Sequence, residues 1–80
     1  GEVDFVARRG SAMRYVQVTA SMADEATRER ELAPLRAVGD SFPKVVVTLE
    51  PYGVGTTQDG ITVIRAVDWL LDVDGDMGDR

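Results

Sequence analysis

Two short alternating stretches, Glu2–Ala7 (EVDFVA) and Tyr15–Ala20 (YVQVTA), lie only seven residues apart and constrain this chain more than any other feature. Each alternates apolar with polar side chains and is rich in Val, Phe and Tyr, the period of a half-buried strand. The connecting segment holds Gly10-Ser11, and a glycine that accepts positive φ suits a tight primed hairpin turn. Pairing Arg9 with Ala12 sets the register: Phe5 opposes Val16, Asp4 opposes Gln17, and Glu2 opposes Thr19. One face of the ribbon then carries Val3, Phe5, Ala7, Val16, Val18 and Ala20. The other gathers Glu2, Asp4, Gln17 and Thr19 at one end, with Val6, Tyr15 and Met13 beyond.

Eighty residues make a single domain, close to the smallest that builds a core without staples. Cysteine is absent, so disulfides and thiolate metal sites are excluded and nothing points to secretion. Histidine is absent too, which removes the usual general base, the commonest zinc ligand and any Ser-His triad. Chemistry here falls to carboxylates, Arg, the single Lys44, hydroxyls or Tyr. A net charge of −5 argues against a phosphate-coating surface. No apolar run reaches membrane-spanning length and no signal peptide is present, so a soluble, cytoplasmic protein is expected, with no membrane partner. The chain lacks an initiator Met and enters its first strand almost at once, which reads as a piece of a longer chain.

After the ribbon, Ser21-Met-Ala-Asp24 has the spacing of a capping box, and Asp24 and Glu25 suit a helix N-terminus. Glu25, Arg28, Glu29, Arg30 and Glu31 form a solvated charged face, while Ala26, Leu32, Leu35 and Val38 make a narrow apolar stripe. Pro34 falls inside that pattern and is expected to bend the helix or start a second one at Ala33. Gly39 with Asp40-Ser41 then ends it. Lys44–Glu50 (KVVVTLE), bounded by Pro43 and Pro51, is a strand covered on both faces, parallel to Tyr15–Ala20 through a right-handed crossover. Pro51–Gly60 reads as loop, Ile61–Ala66 as a fourth strand, and Val67–Leu71 as a short helix anchored by Trp69. The fold class is therefore α/β: a mixed sheet built from a β-hairpin, a crossover helix, a parallel strand and a fourth strand, with a short C-terminal helix. Residues 1–71 form the domain and 72–80 a disordered acidic tail. Asp72, Asp74 and Asp76 alternate like the start of a calcium loop, but Met77 stands where that loop needs glycine.

The polar end of the ribbon is the candidate site. A metal-dependent phosphodiester nuclease needs carboxylates that hold Mg²⁺ against the scissile phosphate and a cation near the attacking water. Asp4 facing Gln17, with Glu2 and Thr19 alongside, has that layout and incomplete chemistry. Gln17 is a neutral amide, and Thr19 supplies no charge. Lys44 begins the neighbouring strand, and its place after Pro43 puts it at the sheet's end. The plain structural reading makes Asp4 and Gln17 a cross-strand hydrogen-bonded pair. Phe5, Tyr15 and Trp69 are core residues on the same reading, with base stacking as the alternative. Arg8, Arg9 and Arg14 form the basic cluster, a solvated turn or a nucleic-acid contact.

The order strand–strand–helix–strand, with Asp4 on the first strand and Gln17-x-Thr19 on the second, resembles the restriction-endonuclease-like fold, whose motif is written PD-(D/E)XK. Val3-Asp4 stands at the motif's Pro-Asp, Gln17 at its acidic position and Thr19 at its lysine. More closely, EVDFVA, YVQV, DEATRERE and the final DGI…DWLL resemble the C-terminal domain of a family of bacterial and archaeal AAA-type ATPases, over roughly Glu2 to Leu71. The resemblance implies a nuclease-like core that lacks its first helix here, exposing apolar surface that a homodimer or compensating packing would cover. It also implies an upstream ATPase module as partner, with ATP bound there, since no G-x-x-x-x-G-K-[ST] occurs in this chain. A non-catalytic accessory domain is the leading expectation. The alternative is a Mg²⁺-dependent nuclease with a degenerate site: Asp4 and Gln17 in the catalytic positions, Glu2 and Asp4 on the metal, and Lys44 as replacement lysine.

Overall fold

The computed structural model describes residues 3–71; Glu2 and the tail 72–80, with Asp72, Asp74 and Asp76, lie outside the described residues. The hairpin is formed by β1 (Phe5–Arg9) and β2 (Ala12–Thr19), antiparallel with Phe5 opposite Val16 and Arg9 opposite Ala12. That is the register set by the two-residue turn. Gly10 takes φ 59 and among the described residues no non-glycine has positive φ, so Ser11 does not, which is the sign pattern of a type II′ turn. The strands run further toward this turn, and stop sooner at the far end, than alternation alone indicates.

Helix α1 (Glu25–Ala37) follows and carries the chain over one face of the sheet to β3 (Lys44–Thr48), which pairs parallel with β2. Asp24 is the N-cap itself, accepting from the Thr27 N–H at 2.9 Å. Ser21, expected as the capping residue, instead accepts the Ala23 N–H and shapes the approach to the helix. Pro34 neither splits nor ends α1. It lies inside a single helix and is buried there with Leu32 and Leu35. Ala26, assigned to the apolar stripe, is exposed. Val38, in extended conformation, closes the helix one residue before Gly39 by donating to the Leu35 carbonyl.

The segment 51–60 holds one short strand, β4 (Gly55–Thr56), antiparallel to β5 (Thr62–Arg65). β5 also pairs parallel with β3, so the five-stranded mixed sheet has the order β1-β2-β3-β5-β4. To reach the outer position of β4 the chain passes the start of α1, where Gly53 (φ 81) lies against Met22: a Cβ there would come within 2.6 Å of the Met22 carbonyl oxygen. Arg28 donates to the Gly53 carbonyl at 3.0 Å and holds this crossing.

Both faces of β3 are covered, as its unbroken apolar run requires. On the α1 side Met22, Leu32, Leu35, Val46, Ile61 and Val63 form one buried cluster, joined by Tyr15 and Val3. On the other side Val16, Val45 and Val47 form a second, covered by Ala7, Ile64, Ala66 and Trp69. Trp69 belongs to a final helix, α2 (residues 66–71), and secures it to the sheet. Among the described residues no helix is long and apolar enough to cross a membrane.

Candidate functional site

Asp4 and Gln17 do meet, and the way they meet ends a strand. In the established register the ladder position after Phe5–Val16 would bring Val3 to Val18. The Asp4 carboxylate enters instead, accepting the Val18 N–H at 2.8 Å. The Asp4 N–H in turn donates to Gln17 Oε1 at 2.6 Å. Each side chain thus bonds the other strand's backbone, and the chain bends at Asp4. Period-2 alternation stops at that bend. This is why Val3 joins the α1-side cluster rather than the apolar face shared by Phe5 and Ala7.

Gln17 is the buried polar side chain of the ribbon, and its amide is occupied at both ends. Its Nε2 donates to Glu31 Oε1 on α1 at 3.4 Å. Glu31 is a residue that sequence reasoning assigned only to the solvated face. Its i+1 neighbour Leu32 faces the core, so the rotation of the helix was the missing signal. Gln17 therefore links the Asp4 backbone N–H to the Glu31 carboxylate, while the Asp4 carboxylate is held by the Val18 N–H.

The other expected members are elsewhere. The Thr19 hydroxyl donates to the Ser21 carbonyl at 3.2 Å and belongs to the turn into α1. Lys44 lies at the start of β3, opposite Tyr15, with Nζ donating to the Asp40 and Phe42 carbonyls at 2.8 and 2.9 Å. It pairs with the Asp40 carboxylate at 3.6 Å and sits 5.7 Å from the centre of the Tyr15 ring. It is thus tied to the loop before its strand. Glu2 is outside the described residues.

The basic cluster divides. Arg14 opposes Ala7 and shares its face, the α2 side of the sheet, whereas Arg8 opposes Met13 on the α1 side. Arg9 is placed by its backbone at the end of β1. Tyr15 and Trp69 pack into the two cores, and Phe5 is half exposed.

A second polar group gathers where α1 ends and β3 and β5 begin, around a cavity of about 240 Å³ lined in part by Leu35, Arg36, Asp40, Lys44 and Asp59. Its charges are matched in pairs. Arg36 Nε donates to Asp59 at 2.8 Å and pulls that carboxyl down to about 2, aided by the Thr57 hydroxyl. The Tyr15 hydroxyl donates to Asp40, lowering the carboxyl and raising the phenol from its ordinary value. The arrangement closes a loop against a helix and leaves no unpaired charge for a ligand.

The chain is thus a small α/β domain whose polar cluster lies along a strand end. No family model matches it, and no solved structure matches it. Over 70 residues, 88% of its length, it is 37% identical to an uncharacterized protein of Haemophilus influenzae, of which it spans only 16%.

Proposed function

We propose that this chain is a non-catalytic accessory domain of a larger, cytoplasmic AAA-type ATPase, with a restriction-endonuclease-like core whose cleavage site has become structural. Its role is regulation or partner contact. The observation that carries this reading is the state of Gln17, an amide at the motif's acidic position, buried and bonded at one end to the Asp4 backbone and at the other to Glu31. A neutral amide is a weaker ligand for Mg²⁺ than a carboxylate. The motif's lysine position holds a threonine bonded to a turn carbonyl, and Lys44 is engaged with the loop at 40–42. Among the described residues no group of three or more Asp or Glu could hold a metal ion. The donor set does not fit the metal of a nuclease, and no cleavage step is derived through it.

The place within a longer polypeptide is supported by the relative, about six times longer than the matched segment. ATP binding belongs to a module outside this chain, since no phosphate-binding loop occurs in it. Exposed apolar side chains on the α2 side, Phe5 and Val18 on the sheet with Leu70 and Leu71 on the helix, fit a surface that packs against further protein.

The nuclease reading keeps one observation in its favour, that Gln17 is bonded both to Asp4, through its backbone N–H, and to the Glu31 carboxylate. A Mg²⁺ titration followed through the Asp4 and Gln17 amide resonances, beside a DNA-cleavage assay with Asp4→Ala as control, separates the two. The accessory reading expects unmoved resonances and no cleavage. Mg²⁺-dependent cleavage that Asp4→Ala abolishes would replace it with the nuclease.

A further inference from the structure

We propose that Asp59-Gly60 is a self-modification site, and that the Arg36–Asp59–Thr57 network guards it against the ring closure that turns Asp-Gly into isoaspartate. This inference concerns the covalent chemistry of the β4–β5 connection and stands apart from the reading of the polar cluster. Asp59 and Gly60 are both exposed, so water reaches them. Gly60 has no side chain to hinder its backbone nitrogen, and a Cβ placed on it would meet nothing within 4 Å. An Asp before an open glycine is the pairing in which closure is least obstructed. The reaction is intramolecular, so no second reactant has to be gathered. The Gly60 nitrogen attacks the side-chain carbonyl carbon of Asp59. A C–N bond forms, the nitrogen gives up its proton, a carboxyl C–O bond breaks, and water leaves, closing a succinimide ring. Water then reopens the ring at either carbonyl, restoring Asp59 or routing the main chain through its side-chain carbons as isoaspartate. Nothing is oxidised or reduced.

Each reacting group is held by a bond that closure would cost. The Gly60 N–H donates to the Thr57 carbonyl at 3.0 Å, a bond that the hydrogen-free nitrogen of a succinimide cannot make. One Asp59 carboxylate oxygen accepts from Arg36 Nε at 2.8 Å, and the other accepts from the Thr57 hydroxyl at 2.7 Å. Closure expels one of these oxygens and removes the charge that favours both donors. Arg36 is also the main reason that the carboxyl sits at about 2, so the neutral acid, which loses water far more readily than the carboxylate does, is scarce at neutral pH. The isoaspartate product fits no better. Its extra main-chain carbon falls inside a loop pinned by the Thr57 N–H on the Ile61 carbonyl and by the Ile61 N–H on the Thr57 hydroxyl, both at 2.9 Å.

The test ages the 80-residue chain at neutral pH beside a peptide of residues 55–64, whose Asp59 has no Arg36 to bind. Trypsin releases the segment Val45–Arg65, in which Asp59 is the single Asp and Asn is absent, so isoaspartate in it reports this bond alone. Chromatography with mass spectrometry reads the conversion, and labelling by an isoaspartate methyltransferase confirms the product. The folded chain is expected to convert several-fold more slowly than the peptide. Arg36→Gln is expected to move the rate several-fold toward that of the peptide, and Arg36→Lys does the same more mildly where the first variant fails to fold. Asp24→Ala is the control for stability: it weakens the opposite end of the same helix without touching the loop, and is expected to leave the rate unchanged. A folded chain that converts as fast as the peptide, Arg36 variants no faster than the parent, or Asp24→Ala accelerating as much as they do would each overturn the proposal.

Discussion

Gln17 concentrates the physics of the ribbon in one side chain. Its carbonyl end accepts the Asp4 N–H and its amino end donates to Glu31, so both halves of the amide are used in a nearly water-free place. Replacing it with glutamate keeps the shape and the acceptor but turns the donor toward Glu31 into a second carboxylate. Gln17→Glu is therefore expected to destabilise the domain by about 1–3 kcal/mol at neutral pH, the cost of a buried group with an unfavourable partner. The sign of its pH dependence follows. The introduced carboxyl has a raised pKa in the folded state, so the folded chain binds the extra proton more readily and the deficit shrinks as pH falls below neutrality. Urea unfolding of both chains at pH 7 and pH 5 checks this. A deficit that Mg²⁺ removes at neutral pH would instead identify a metal site one substitution away. Meeting of Asp4 and Gln17 was legible because a two-residue turn fixes register over its whole length. Glu31 was not, since five charged residues in the first seven of the helix hide which of them turns inward.

At the scale of elements, α1 shows where local signals were sufficient and where packing overrode them. Asp24 opens it in extended conformation, with one carboxylate oxygen accepting from both the Thr27 N–H and the Thr27 hydroxyl. Asp24→Ala leaves that N–H to water and is expected to cost about 1 kcal/mol, measured as a lower urea midpoint with an unchanged slope. Asp24→Ser, which retains a side-chain acceptor, is expected to recover most of it. Pro34 was expected to divide the helix because it lacks an N–H for the Arg30 carbonyl. Arg30 is exposed, so water can serve that carbonyl, while the proline ring is buried beside Leu35. Packing outweighs the missing bond. The strand β4 was illegible for another reason: two residues in a glycine-rich segment carry no alternation, and only their pairing with Val63 and Thr62 defines them.

Where α1 ends and β3 and β5 begin, charged side chains add to the apolar core formed there by Leu35 and Ile61, and this gives the whole molecule a characteristic response to acid. Arg36 on α1 bonds Asp59 beside β5, Asp59 bonds Thr57, and the Thr57 hydroxyl accepts the Ile61 N–H at 2.9 Å, so one network ties the helix to the β4–β5 connection. Arg36 is the main cause of the lowered Asp59 pKa, about 2 against an ordinary 3.8. Asp24 and Asp40 are lowered too, by the Thr27 N–H and the Tyr15 hydroxyl respectively. A carboxyl whose pKa falls on folding contributes stability that is complete above its unfolded value and is lost as pH drops through its folded one. The domain is therefore expected to lose stability between about pH 4 and pH 2. Asp59→Asn isolates the largest contributor. The variant is expected to be less stable than the parent at pH 7, with the difference fading as pH approaches 2, where the parent's carboxyl is itself becoming neutral. Both partners are partly open to solvent, at 38% and 47% of their side-chain surface, so the gap is modest and narrows with added salt. Thermal melts of the two chains from pH 7 to pH 2 read the effect directly. A gap of constant size across that range would mean that the Asp59 side chain matters for its shape in the loop and not for its charge.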